Sequence, residues 1–139
     1  MKNSHNKNTL KNQISDILLQ KDEVEFAYLF GSTARNSNHK KSDVDIAVFL
    51  SKGVLQKNKF YPEQLASEIE KSIKAPIDVR CLNHQGLIFL HQVLKYGELL
   101  VDKNNKKRIS FETRVYDEYL DFKYYLDTYN KIRREKLSS

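Results

Sequence analysis

Residues 29–50 read LFGSTARNSNHKKSDVDIAVFL, and the fold of the chain turns on them. An apolar run, Val24 to Phe30, ends at Gly31-Ser32; a polar stretch from Asn36 to Ser42 follows; a second apolar run then opens on Asp43-Val44-Asp45. Apolar residues rich in Val, Ile and Phe mark both runs as strands, and the polar stretch as the loop that joins them. In a strand, residues i and i+2 share a face, so an extended Ser42–Leu50 presents Asp43 and Asp45 side by side. Two such carboxylates repel unless a cation lies between them. Their hard oxygens suit Mg²⁺ or Mn²⁺, ions that keep positions open for water and for substrate phosphates.

Gly31 stands at the end of the first strand, where a residue without Cβ allows a tight turn and close approach of the backbone to a ligand. Ser32 or Thr33 can cap a short helix after it, and the free N–H groups of a helix start favour a phosphate. The Ser32 hydroxyl adds a donor. A phosphate cradle and a pair of metal ligands thus meet at the two ends of one loop. Arg35, in the same turn, reads either as a phosphate-binding fork or as a helix-surface cation.

Gly31-Ser32 followed at this spacing by Asp43-x-Asp45 resembles the signature of the minimal nucleotidyltransferases of the polymerase β-like superfamily. The likeness is sharpest over Leu29 to Leu50 and lies nearest the MntA-type adenylyltransferase antitoxins, which are paired with HEPN toxins. It implies an α/β (α+β) fold: a small mixed sheet flanked by helices. It also implies a third carboxylate on a later strand, and Asp78 in Pro76-Ile77-Asp78-Val79-Arg80-Cys81-Leu82 is the candidate. That segment alternates around β-branched residues, as a short strand does. Asp43, Asp45 and Asp78 would then carry two divalent ions about 3.5–4 Å apart, Mg²⁺ with Mn²⁺ as an alternative. Gly31 and Ser32 would hold the phosphates of ATP. The family position after Arg35 often holds Gly, whereas this chain has Asn36.

The resemblance further implies that the acceptor is a tyrosine hydroxyl on a HEPN ribonuclease toxin, silenced by attached AMP. Two alternatives stand beside it. A non-catalytic antitoxin would neutralise its partner by binding alone, and an aminoglycoside-type nucleotidyltransferase would modify a small molecule.

The rest of the chain reads as one domain over residues 10–139, preceded by a loose tail over residues 1–9 that is rich in Asn and Lys. Leu10, Ile14, Ile17 and Leu18 follow helical spacing. Pro62 sits at a helix start, with Leu65, Ala66, Ile69 and Ile73 behind it. If that helix crosses between parallel strands, the connection is right-handed. Gly86 to Lys95 gives a further helix, Gly97 its cap, and Glu98 to Val101 an edge strand. From Arg108 to Leu137 there is no Gly or Pro, and Phe111, Val115, Tyr119, Phe122, Leu126 and Tyr129 recur every three or four residues. This spells one long C-terminal helix, 108–137, packed on the sheet or offered to a partner.

The chain has 139 residues and a formal net charge of +6, which suits phosphate, nucleic acid or an acidic partner. No RNA-binding aromatic signature or zinc-finger spacing is present, so direct nucleic-acid binding has no support in the sequence. His5, His39, His84 and His91 make no zinc spacing with the single Cys81. No stretch is long and apolar enough to span a membrane, and a cytoplasmic protein is the expectation. Cys81 fits a small buried strand residue.

Overall fold

The structure, a computed structural model, describes residues 2–31 and 44–138. In chain order these form α1 (Lys2–Leu19), β1 (Val24–Phe30), β2 (Val44–Leu50), α2 (Val54–Lys57), α3 (Tyr61–Ile73), β3 (Ile77–Cys81), α4 (Leu87–Tyr96), β4 (Glu98–Asp102) and α5 (Asn105–Ser138). The strands lie in the order β3-β2-β1-β4. β1 is antiparallel to both β2 and β4, whereas β2 and β3 run parallel. The parallel pair is joined through α3, the arrangement a helix between two apolar runs implies. The mixed sheet and the long terminal helix agree with the fold expected from the sequence.

Alternation along the strands sorts the side chains to two faces. Val44, Ile46, Val48 and Leu50 of β2 turn to one face, where they meet Ile14 and Leu18 of α1 and Leu65 and Ile69 of α3. Phe26, Tyr28 and Ala47 turn to the other, against Leu90 and Val93 of α4 and Phe111 and Val115 of α5. Both faces are therefore covered, and the sheet is the middle of three layers. An aromatic stack fills the second face: the Phe26 and Phe49 rings lie 4.7 Å apart and nearly parallel, and Phe111 packs within 5.5 Å of both.

α1 begins at Lys2 and runs unbroken to Leu19. The physical reason is cooperativity. No Gly or Pro interrupts the segment, and once Ile14 and Leu18 anchor the helix, each added turn costs far less than a new nucleus. α2 carries no buried residue, which is why apolar spacing gives no sign of it.

Gly97 does close α4, its N–H donating to the Val93 carbonyl at 2.7 Å. Its φ of −84° is open to any residue, so conformational freedom is not what glycine supplies here. A Cβ would lie 2.5 Å from the Val93 carbonyl oxygen and 3.1 Å from that of Leu29. Gly97→Ala is therefore expected to destabilise the protein by about 1–3 kcal/mol, the usual cost of overpacking, visible as a lower urea midpoint at unchanged slope.

The root of α5 is held by a polar chain as well as by Phe111 and Val115. The Tyr28 hydroxyl donates to Glu112 Oε2 at 2.5 Å, Arg108 Nη1 donates to Glu112 Oε1 at 2.8 Å, and Arg108 Nε donates to Asp102 Oδ2 at 2.6 Å. Burial, and then the Glu112 carboxylate, push the Tyr28 phenol well above its ordinary range and keep it a donor. Farther out, Tyr119 stacks on His91 of α4 with ring centroids 3.4 Å apart. Beyond Tyr119 every described residue of α5 is exposed. The first half of this helix thus packs on the sheet and the second does not.

Candidate active site

Strand pairing brings several of the candidate side chains together. In the antiparallel β1–β2 pair Phe30 is the partner of Asp45, so Gly31, one residue past the end of β1, lands against the Asp45 side chain. A Cβ built on Gly31 would stand 2.2 Å from Asp45 Oδ2. Gly31 also has φ +80°, the left-handed region that side chains disfavour. Glycine is required here twice over, by the turn and by the carboxylate.

In the parallel β2–β3 pair Asp45 is the partner of Asp78. Partners on adjacent strands project to the same face, roughly 4.8 Å apart along the hydrogen-bonding direction. The two carboxylates therefore flank each other on the α4–α5 side of the sheet, while Val44, Ile46, Ile77 and Val79 anchor the same strands from the opposite side. The Asp78 side chain is 46% exposed and open to ligand. Asp43, Ser32 and Arg35, named from the sequence, lie outside the described residues, as do Thr33 and His39.

Two neighbouring carboxylates supply only hard oxygen ligands, and Gly31 leaves room for one of them where any side chain would close it. Such a set fits Mg²⁺ or Mn²⁺ and does not fit a soft metal.

Sequence reading missed three neighbours of this pair. Arg80, two residues along β3 from Asp78 and on the same face, places Nε 3.5 Å from Asp78 Oδ2. At that length and exposure the pair contributes little to stability. The Arg80 guanidinium also lies over the Phe89 ring of α4, 5.5 Å from its centroid, and Phe89 meets Phe30 edge to face at 5.7 Å. The i, i+2 spacing of Asp78 and Arg80 was available in the sequence; the meeting with Phe89 was not.

At the other end of β2, a cavity of about 310 Å³ is lined by Phe49, Leu82, His84, Arg114 and Glu118 among others, away from the carboxylates. Asn83 beside it latches the strand end, its side chain accepting from the Leu50 N–H at 2.9 Å and donating to the Leu50 carbonyl at 3.0 Å. Cys81 is buried, and burial pushes its thiol up. It behaves as the small strand residue expected.

The family model of polymerase beta nucleotidyltransferases matches residues 12–106, a span that contains Gly31, Ser32 and all three aspartates. The chain belongs to that family and is a nucleotidyltransferase of polymerase β-like fold. Among solved structures, it is similar to a toxin–antitoxin crystal structure with AMP-PNP, at 22% identity and a TM-score of 0.68, over 81% of this chain and 88% of the other. It is similar also to the MntA–HepT toxin–antitoxin, at 20% identity and a TM-score of 0.64, over 83% and 88% of the two chains. A third likeness is to the complex of tri-AMPylated Shewanella oneidensis HEPN toxin with MNT antitoxin, at 20% identity and a TM-score of 0.65, over 84% and 88%. At these identities the likeness is one of fold. No curated protein matches the chain. Among the described residues no helix is long and apolar enough to cross a membrane.

Proposed function

We propose that the chain is an antitoxin protein adenylyltransferase of the cytoplasm, which moves AMP from ATP to a tyrosine hydroxyl of a cognate HEPN ribonuclease toxin and so silences it. The observation that carries the reading is the register Asp45 to Asp78, with Gly31 against the Asp45 carboxylate. Support for the acceptor comes from the fold shared with antitoxins, one of them in complex with a tri-AMPylated toxin, and from the bare aromatic half of α5, a surface suited to a protein.

In this reading Gly31 and Ser32 hold the β- and γ-phosphates through backbone N–H groups and the hydroxyl. Asp43 and Asp45 would hold the ion on the triphosphate, and Asp78 would share a second. Bound there, Mg²⁺ or Mn²⁺ supplies charge neutralisation at the phosphates and a sharper nucleophile. The tyrosine oxygen bonds to the α-phosphorus, the bond from that phosphorus to the β-phosphate oxygen breaks, and pyrophosphate leaves in line. Asp78 accepts the phenolic proton. Arg35 would steady the developing phosphate charge through its planar fork. Most of the rate gain comes from holding the groups in line. AMP placed beside a ribonuclease site then excludes RNA by charge and bulk.

The test is intact-mass spectrometry of the cognate toxin after incubation with this chain, ATP and Mg²⁺, beside an Asp45→Ala, Asp78→Ala double variant. Mass increments of one or more AMP units, lost in the variant and on chelation by EDTA, are expected. A stable complex without any increment would replace transfer by neutralisation through binding. Transfer to a small aminoglycoside with none to the toxin would reassign the acceptor.

A further inference from the structure

We propose that Arg80, backed by Phe89, forms the seat for the acceptor's aromatic ring, with Arg80 as the group that tells a tyrosine from an aliphatic hydroxyl; the proposal rests on the transfer to tyrosine put forward above. Across β3, β2 and β1 the side chains Asp78, Asp45 and Phe30 stand in register on one face. Phe89 reaches over this row from α4. It touches Phe30 with its ring perpendicular, and carries the Arg80 guanidinium above its own face. A guanidinium with one face on an aromatic ring keeps its other face for a second flat π system. The Arg80 side chain is 55% exposed, so that second face is open.

Position decides between the two flat rings present in the reaction, the acceptor's phenol and the adenine of ATP. Gly31, the phosphate-binding turn, lies on the β1 side of Asp45, whereas Asp78 and Arg80 lie on β3, the edge strand at the other side. Arg80 and the Gly31 turn thus lie on opposite sides of Asp45, which leaves Arg80 to the acceptor rather than to the nucleotide. Arg80 stands two residues from Asp78, about 6.6 Å along the strand. A phenol lying on Arg80 is therefore long enough to bring its hydroxyl to Asp78. The present Arg80–Asp78 contact is long and half solvated, and an incoming phenol exchanges it at little cost. A serine or threonine acceptor offers no ring to the seat.

The experiment combines three measurements on wild type, Arg80→Ala, Arg80→Lys and Phe89→Leu, the last keeping apolar bulk against the core. AMP-transfer kinetics on the intact toxin should show kcat/KM for toxin reduced about tenfold in Arg80→Ala and Phe89→Leu, with Arg80→Lys only partly restored because an ammonium has no plane to stack. Binding of Mg²⁺–AMP-PNP by calorimetry should be unchanged in all variants. Titration with N-acetyl-tyrosinamide, followed by NMR, should move the Arg80 Nε–H resonance in wild type and not in Phe89→Leu. AMP-PNP affinity falling in step with transfer would give the seat to adenine and overturn the proposal, as would transfer unaffected by either substitution. A wild-type chain that binds the tyrosinamide at Arg80 yet adenylylates no toxin would uphold the seat and sink the proposed acceptor; a chain that adenylylates toxin but shows no shift at Arg80 would do the reverse.

Discussion

Gly31→Ala is expected to lower AMP transfer by about a hundredfold or more while leaving a folded protein. The added Cβ would stand 2.2 Å from Asp45 Oδ2, far inside contact distance, so the carboxylate must swing off the position it shares with Asp78. A displacement of about 1 Å at a reacting centre is enough for a loss of that size. The φ of +80° adds a backbone cost of about 1–2 kcal/mol for any side chain. Because the turn lies at a strand end and outside both apolar clusters, the fall in thermal midpoint should stay modest. The check is transfer rate against melting temperature on the same preparation. Wild-type rates in a folded Gly31→Ala protein would mean that the Asp45 carboxylate does its work from some other position.

The second large effect is expected on the far half of α5. Tyr124, Tyr125 and Tyr129 are 76%, 67% and 54% exposed, and Leu126 and Ile132 beside them are exposed as well. Truncation of a buried interface tyrosine commonly costs about 2 kcal/mol or more. Replacing all three tyrosines by glutamine should therefore raise the dissociation constant for the toxin about a hundredfold or more. Glutamine is a good helix former, so the helix itself should persist. Because none of the three touches either apolar cluster, the melting temperature should hardly move. Calorimetry with the toxin, with circular dichroism as control, decides it. Unchanged affinity would place the partner elsewhere on the molecule.

What was legible in the sequence was whatever depends on neighbours along the chain. The alternation from Val44 to Leu50 fixed both the strand and the side of the sheet that Asp45 takes, and the three- and four-residue spacing from Phe111 onward fixed α5 to within a few residues of its ends. Pairing between distant strands was not legible. Nothing in Ile77–Cys81 alone says that Asp78 falls opposite Asp45 rather than one step away, which would send it to the buried face. The resemblance supplied a third carboxylate on a later strand; the register that sets Asp78 beside Asp45 came from the fold. Phe89 escaped notice for a similar reason, since its helix reads as ordinary core and only tertiary packing brings it over Arg80. Ser32, Arg35 and Asp43 lie outside the described residues, so their roles rest on their place in the motif.

α5 keeps its last buried residue at Val115 yet continues to Ser138. At about 1.5 Å per residue, Leu137 stands roughly 33 Å beyond that anchor. A partner gripped along this rod is retained by contacts that the chemistry at Asp45 and Asp78 does not consume. Grip and reaction are then separate events, each open to alteration by substitution without the other.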